Sequence, residues 1–270
     1  MKLDGAIAVV TGAARGIGRG LCREFKARGA TGIAVLDRDA ALAQATAAEL
    51  GGLGIGCDVT DEAAVRAAVD AVIAHYGRID LWVSNAGFGC TDLDLDDALS
   101  SANTTWQRMW EVHVMAHVHA GRVVLPAMLE RGSGHMVNVA SAAGLLSQAG
   151  ETPYSVTKHA AVALAESLAI TYGDRGINVS VVCPQYIATA LTGLDEATAT
   201  GAIEGVLTVE QAAACITEGI EADRFMILPH PEVLVYFQRK ASDYERWLKG
   251  MRRVRDGLRA GDGLLKLKPR

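Results

Sequence analysis

The sequence lacks the features that mark several classes of protein. Its 270 residues include only 6 prolines, with no low-complexity tract and no internal repeat, and nothing in the composition suggests disorder. The five cysteines (Cys22, Cys57, Cys90, Cys183 and Cys215) are scattered and contain no CxxC pair. They give neither zinc-site spacing nor a disulfide framework, and they read as reduced, intracellular thiols. Basic charge is not in excess, with 26 Lys and Arg against 31 Asp and Glu for a net charge of −5. Together with a pI of about 5.8, this argues against nucleic-acid binding through a basic surface. No stretch reads as a membrane span, and the apolar run Ala6–Val10 is too brief for a signal peptide. The expectation is a soluble cytoplasmic protein with no metal site, no nucleic-acid partner and no membrane.

What the chain does have is apolar material, 50% of its residues against 21% charged, ample for a core. Short β-branched runs alternate with longer alanine-rich segments of helical period. Strands are expected at Ala6–Thr11, Gly32–Asp37, Leu53–Cys57, Ile79–Ser84, His135–Ala140, Ile177–Cys183 and Phe225–Leu228. Helices are expected at 16–29, 39–50, 61–76, 104–130, 153–174 and 208–222. Asp61 precedes one helix as a cap, and Thr152-Pro153 offers a capping oxygen before a first-turn proline. Gly29, Gly77 and Gly173 or Gly176 stand where helices should stop. Continuous apolar strands, each followed by a helix, require a parallel sheet covered on both faces. The predicted fold is therefore α/β, a single Rossmann-type doubly wound domain over 1–270 with about seven strands.

Three segments break this rhythm. Residues 88–101 form an acidic, hydroxyl-rich loop after the fourth strand, and about 185–206 form a small, apolar substrate loop after the sixth. Both follow carboxyl ends of strands, where ligands bind in open α/β sheets. From Arg239 to Arg270 there are eleven basic and four acidic residues. That basic helical tail, about 231–270, reads as a solvated amphipathic helix, with a basic binding surface as the alternative.

Thr11-Gly12-Ala13-Ala14-Arg15-Gly16-Ile17-Gly18 occupies the turn from the first strand into the first helix. Glycine there permits a sharp turn and close backbone approach to a pyrophosphate, while the helix N-terminus supplies free N–H groups. Asp37 follows Gly18 by 19 residues and ends the second strand, placed to accept hydrogen bonds from an adenosine ribose. Its charge would repel a 2′-phosphate, so the expected cofactor is NAD; Arg15 and Arg38 are the cations that oppose this reading. Asp58 reads either as a helix-start acid or as the partner of the adenine amine.

Tyr154 and Lys158 are four residues apart and share one face of a helix. Bringing a tyrosine from pH ~10 to about 7 requires about 4 kcal/mol of preference for the phenolate. A nearby ammonium and the positive charge of an oxidised nicotinamide supply the right kind of help. Ser141, at the end of the fifth strand, can donate to a substrate oxygen.

In order and spacing, TGAARGIG, Asp58-Val59, Asn85-Ala86-Gly87, Ser141, Tyr154…Lys158 and Pro184…Thr189 resemble the short-chain dehydrogenase/reductase family from residue 4 to about 230. The resemblance implies Tyr154 as acid/base, Ser141 as substrate orienter, and Lys158 as ligand of the nicotinamide ribose. It also implies that Asn85, Ala86 and Gly87 face the cofactor with Ile187 and Thr189 flanking the carboxamide, and that the helices at 104–130 and 153–174 build a homotetramer or dimer.

Three departures from the family pattern stand out. His113 occupies the place of an asparagine that positions a water in the proton relay to the catalytic lysine. As a relay member titrating near neutral pH, it would make turnover fall toward pH ~6; the alternative is a packing histidine on a helix that also carries His117 and His119. Gln185 stands where the family often has glycine, and the loop over 88–103 is longer than usual. The expected activity is NAD-dependent interconversion of an apolar secondary alcohol and its ketone, with Leu145, Leu146 and Tyr186 at the substrate mouth. The alternatives are a 3-oxoacyl thioester reductase, an epimerase or lyase on the same scaffold, and a non-catalytic NAD-binding regulator.

Overall fold

A computed structural model describes residues 1–193 and 205–261. Seven parallel strands form one sheet: β1 (Ile7–Thr11), β2 (Gly32–Asp37), β3 (Leu53–Gly56), β4 (Leu81–Ser84), β5 (Gly134–Val139), β6 (Ile177–Val182) and, at one edge, β9 (Met226–Ile227). Their order is β3-β2-β1-β4-β5-β6-β9. The chain thus winds outward from β1 in one direction and from β4 in the other. The reversal lies between β1 and β4, paired in register with Ala8 opposite Leu81 and Val10 opposite Val83. A separate two-stranded pair joins β7 (Tyr186–Ile187) to β8 (Val206–Leu207).

Each central strand buries both faces. Val9, Leu36, Trp82 and Met136 belong to one core cluster, while Ala8, Val10, Val35, Val83 and Val137 belong to the other. Helices α1 (Gly16–Ala27), α2 (Ala40–Leu50), α3 (Glu62–Tyr76) and α8 (Val209–Glu221) begin and end largely where the sequence predicts. Asp61 caps α3 by accepting from the Ala63 N–H at 2.9 Å, and Gly77 ends it in a left-handed conformation, φ +85°.

Four differences from the sequence reading have physical causes. The helix predicted over 104–130 is α4 (Asn103–Trp110), a π-helical turn (Glu111–Met115) and α5 (Ala116–Arg131). This 29-residue run is, contrary to expectation, long and apolar enough to cross a membrane, but half of its most apolar stretch is buried in the protein, as befits a core helix. Helix α7 (Thr152–Tyr172) has Glu151 at its N-cap with no side-chain cap of its own. Thr152 does not cap it; its N–H and hydroxyl both donate to the Asp92 carboxylate, at 3.0 and 2.8 Å, so the acidic loop holds the start of this helix. The basic tail is a helix pair, α9 (Glu232–Ser242) and α10 (Tyr244–Arg259). Its Val233, Lys240, Trp247 and Val254 are buried, because an apolar edge of each helix completes the core; residues 262–270 of the predicted tail lie outside the described residues.

His117 and His135 are buried at 2% and 0% exposure. Burial pushes His117 down to about 3 and His135 down to about 4. Both are neutral in the folded protein and protonate near pH ~6.5 when unfolded. Their share of stability is therefore intact above that pH and is lost as pH falls toward 4, by about 1.4 kcal/mol per pH unit for each. Thermal melts should show a clearly lower melting temperature at pH 5 than at pH 7.5. Equal values at the two pH values would contradict this account.

Candidate active site

The turn after β1 is shaped by close approach. Gly12 has φ +61°, and a Cβ there would lie 2.8 Å from the Ala86 Cα. The Thr11 hydroxyl accepts from the Asn85 and Ala86 N–H groups at 3.0 and 3.1 Å, and Asn85 Nδ2 donates to the Thr11 and Gly12 carbonyls at 2.9 and 3.2 Å. A Cβ on Gly18 would stand 2.6 Å from Asn85 Nδ2. Arg15, at the N-cap of α1, contributes no side-chain cap, so the helix presents its first-turn N–H groups without a side-chain acceptor. That is a ready anion site facing a cleft.

The cleft has a volume of about 1210 Å³ and is lined by Gly12, Arg15, Gly16, Ile17, Asp37, Arg38, Asp58, Val59, Asn85, Ala86, Gly87 and Thr189. Of the expected cofactor-binding residues, Gly18, Tyr154, Lys158, Pro184 and Ile187 are not among its lining residues. Gly18 packs under the turn. The buried Pro184 gives its carbonyl to the Ala142 N–H at 2.8 Å. Ile187 is 2% exposed, in a cluster with Val209 and Ala212. The Asp37 carboxylate accepts from the Ala14 N–H at 3.2 Å and the Asp39 N–H at 3.1 Å, which fixes its orientation. Asp58 accepts from the N–H and hydroxyl of Thr60 at 3.0 and 2.8 Å, and these bonds hold its carboxyl below the usual range. The α3 cap is Asp61, so Asp58 is not the helix-start acid. The space, the glycines and the uncapped helix start fit a dinucleotide.

Ser141, Tyr154 and Lys158 lie together after β5; none of the three lines the cleft itself, but Lys158 Nζ approaches its wall at Gly87, 3.6 Å from where a Cβ there would stand. Tyr154 and Lys158 are 9% and 4% exposed. Lys158 Nζ donates to the Val139 carbonyl at 3.1 Å and stands 5.6 Å from the centroid of the Tyr154 ring. Burial lowers Lys158 to about 8. Burial also raises Tyr154 to about 12, with Ser141 pulling it down and Glu151 pushing it up. The chain's own groups therefore keep the phenol protonated, and Lys158 alone does not bring it to neutrality.

His113 sits on the π-helical turn, fully buried. Its Nε2 accepts from the Phe88 N–H at 3.2 Å, and its Nδ1 lies 3.0 Å from Thr157 Oγ1. With Nε2 accepting, Nδ1 carries the proton and donates, while the Thr157 hydroxyl in turn faces the Pro153 and Tyr154 carbonyls. Both ring nitrogens are engaged, so neither is left for Lys158. Burial and the Lys158 charge drive the imidazole well below its ordinary pKa. The neutral imidazole is thereby favoured, which weighs against the fall in turnover toward pH ~6 expected of a protonated His113.

Some residues of the site carried no motif. His230 is 2% exposed; its Nδ1 accepts from the Gln185 N–H at 3.1 Å and its Nε2 donates to the Tyr186 carbonyl at 3.2 Å. This pins the strand exit where the sequence departs from glycine. Arg108 joins the cleft wall, 5.7 Å from the Phe88 ring. Leu145 and Leu146, expected at the substrate mouth, are instead buried in the core cluster that includes Val233 and Trp247. The part of the substrate loop at 194–204 lies outside the described residues.

A family model described as short chain dehydrogenase matches residues 6–199. The chain belongs to the short-chain dehydrogenase/reductase family. The chain is 36% identical over 199 residues to D-threitol dehydrogenase of Mycolicibacterium smegmatis, covering 70% of this chain and 73% of that one. It is 32% identical over 271 residues to zerumbone synthase of Zingiber zerumbet, covering 95% of each. A short-chain dehydrogenase/reductase of Burkholderia phymatum in complex with NAD superposes with a TM-score of 0.80 at 29% identity, over 91% of this chain and 96% of that one.

His113→Ala removes the link between Phe88 and Thr157 and leaves a cavity. Denaturant unfolding of the dehydrogenase should show a loss of about 2–4 kcal/mol. Wild-type stability in the variant would mean that the imidazole bears no structural weight.

Proposed function

We propose that this dehydrogenase uses NAD to interconvert a secondary alcohol and its ketone on a largely apolar substrate. The observation that carries the cofactor choice is Asp37, whose two carboxylate oxygens are held by backbone N–H groups in the wall of the cleft. A fixed carboxylate there accepts from ribose hydroxyls and repels a 2′-phosphate. Arg15 lies 4.0 Å from Asp39, and Arg19 and Arg23 are tied to Glu49. Among the described residues Arg38 has no ion pair and is the one cation of the two opposing candidates left unengaged. The Gly12 turn, Asn85, Ala86, Gly87 and Thr189 would hold the dinucleotide, with Lys158 at the nicotinamide ribose. When bound, NAD supplies the acceptor for the hydride from the carbinol carbon.

The residues supply the rest. Ser141 holds the substrate oxygen, its Oγ steadied by the Ala143 N–H at 3.1 Å. Tyr154 exchanges the proton, giving it to a carbonyl oxygen in reduction and taking it from the hydroxyl in oxidation. Held protonated by burial, it is set as a donor, and the oxidative direction needs a positive charge beside the phenol. His113 acts by position, fastening the loop after β4 to helix α7. Met109, Ala143, Phe88 and Cys90 cluster with the Tyr154 ring and favour apolar substrates. Trp110, Val156 and Ile170, exposed on α4 and α7, support self-association through those helices.

A second reading, a polyhydroxylated substrate, is favoured by Glu151. Burial and the Asp92 charge raise its carboxyl to about 7, and its charge acts on Tyr154, Tyr186 and Cys90. A carboxyl in that place can bind a second hydroxyl.

Turnover of a panel of apolar secondary alcohols and polyols, followed by NADH absorbance, tests the proposal. Catalytic efficiency with NAD should exceed that with NADP by at least about tenfold, equivalent to about 1.4 kcal/mol; parity would remove Asp37 from cofactor selection. Tyr154→Phe should lower turnover more than about a hundredfold at little cost to NAD affinity. A variant keeping a tenth of wild-type activity would mean that another group carries the proton.

A further inference from the structure

Between Ser141 and Tyr154 the chain makes a tight turn that serves both residues. It comprises a single helical turn, α6 (Ala143–Leu146), followed by Ser147, which has φ +62° and ψ +141°. Glycine adopts that conformation freely and serine only under strain. Such a conformation persists when its surroundings over-determine it. On the inner side, a Cβ at Gly144 would lie 2.6 Å from the Lys158 carbonyl oxygen, so the turn rests directly on α7. Just after the strained residue, the Gln148 N–H donates to Ser155 Oγ at 2.8 Å.

On its outer side the turn packs against Val233 and Trp247 of the C-terminal helices, and one polar side chain from those helices reaches its backbone. Lys240, on α9, is 7% exposed and its Nζ donates to the Leu145 carbonyl at 2.6 Å. The same ammonium lies 3.4 Å from His159 Nε2, and His159 Nδ1 donates to the Ser155 carbonyl on α7 at 2.8 Å. Among the described residues no carboxylate pairs with Lys240. Burying an unpaired ammonium is costly, and a methionine would fill the same space without that cost. The charge is explained by what it grips. Lys240 also lies outside residues 6–199, the stretch matched by the family model, so it belongs to the part of the chain that the family pattern does not prescribe.

We infer that Lys240 is a positioning residue: its grip on the Leu145 carbonyl holds the strained turn that sets Ser141 against Tyr154. The C-terminal helices thereby act on the active site as well as completing the core. The kinetic part of the test rests on the alcohol dehydrogenase reading, whereas the backbone part does not.

Lys240→Met keeps the apolar stem and removes the donors. It should lower kcat about ten- to a hundredfold while leaving the Kd for NAD unchanged, since Gly12 and Asp37 lie on the other half of the sheet. Amides of residues 142–148 should exchange about tenfold faster by hydrogen-exchange mass spectrometry. Ser147→Gly relieves the strain, so Ser147→Gly/Lys240→Met should recover most of kcat, which a lysine that merely docks α9 would not allow. If Lys240→Met does not fold, the double variant should fold and turn over. Wild-type kcat or wild-type exchange in Lys240→Met would overturn the inference, as would a double variant that recovers neither fold nor kcat. If wild-type protein oxidises no alcohol in the panel, the functional reading fails while the exchange comparison still decides the role of Lys240.

Discussion

The Thr11 hydroxyl joins the two halves of the molecule. At the point where the winding of the sheet reverses, it accepts from two successive N–H groups after β4, and Asn85 returns two bonds to the turn after β1. This interlock brings the backbones so close that Gly12 must remain glycine. A continuous path follows from it. Asn85 leads to Gly87 and Phe88, the Phe88 N–H to His113, His113 to Thr157, and Thr157 to the first turn of α7 beside Tyr154. The cleft wall is thereby linked to the helix turn that carries Tyr154.

A second constraint is dryness. Tyr154, Lys158 and His113 are all nearly inaccessible, so uncharged forms are favoured throughout: the phenol is pushed up, and the ammonium and imidazole are pushed down. In such surroundings a new positive charge acts strongly. The acidic loop contributes from outside, with Asp92 holding the start of α7 and keeping the Glu151 carboxyl high.

The fold was legible wherever pattern and turn chemistry agreed. Continuous apolar strands, Asp61 and Gly77 placed their elements almost to the residue, and the glycine turn, Asp37 and the Tyr154–Lys158 pair fell where spacing put them. Contacts between distant segments were less legible. A π-helical turn leaves no periodic signature in five residues, so the orientation of His113 could not be read. Thr152 looks like its own cap, and only the folded chain brings Asp92 to it. His230 and Lys240 act on backbone 45 and 95 residues away, and a carbonyl partner has no mark in a sequence. Trp247 shows the same limit, since a basic amphipathic helix looks solvated until its narrow apolar edge finds the core.

The proposed chemistry is direct hydride transfer from a carbinol carbon, with Tyr154 handling the proton. The most direct measurement follows the label. The wild-type enzyme is mixed with NAD and the best alcohol of the panel, deuterated at the carbinol carbon, and the reduced nicotinamide is analysed by mass spectrometry and NMR. The account requires deuterium at nicotinamide C4, on one face of the ring. Deuterium released to solvent, or nicotinamide left unreduced with every alcohol tested, would contradict it.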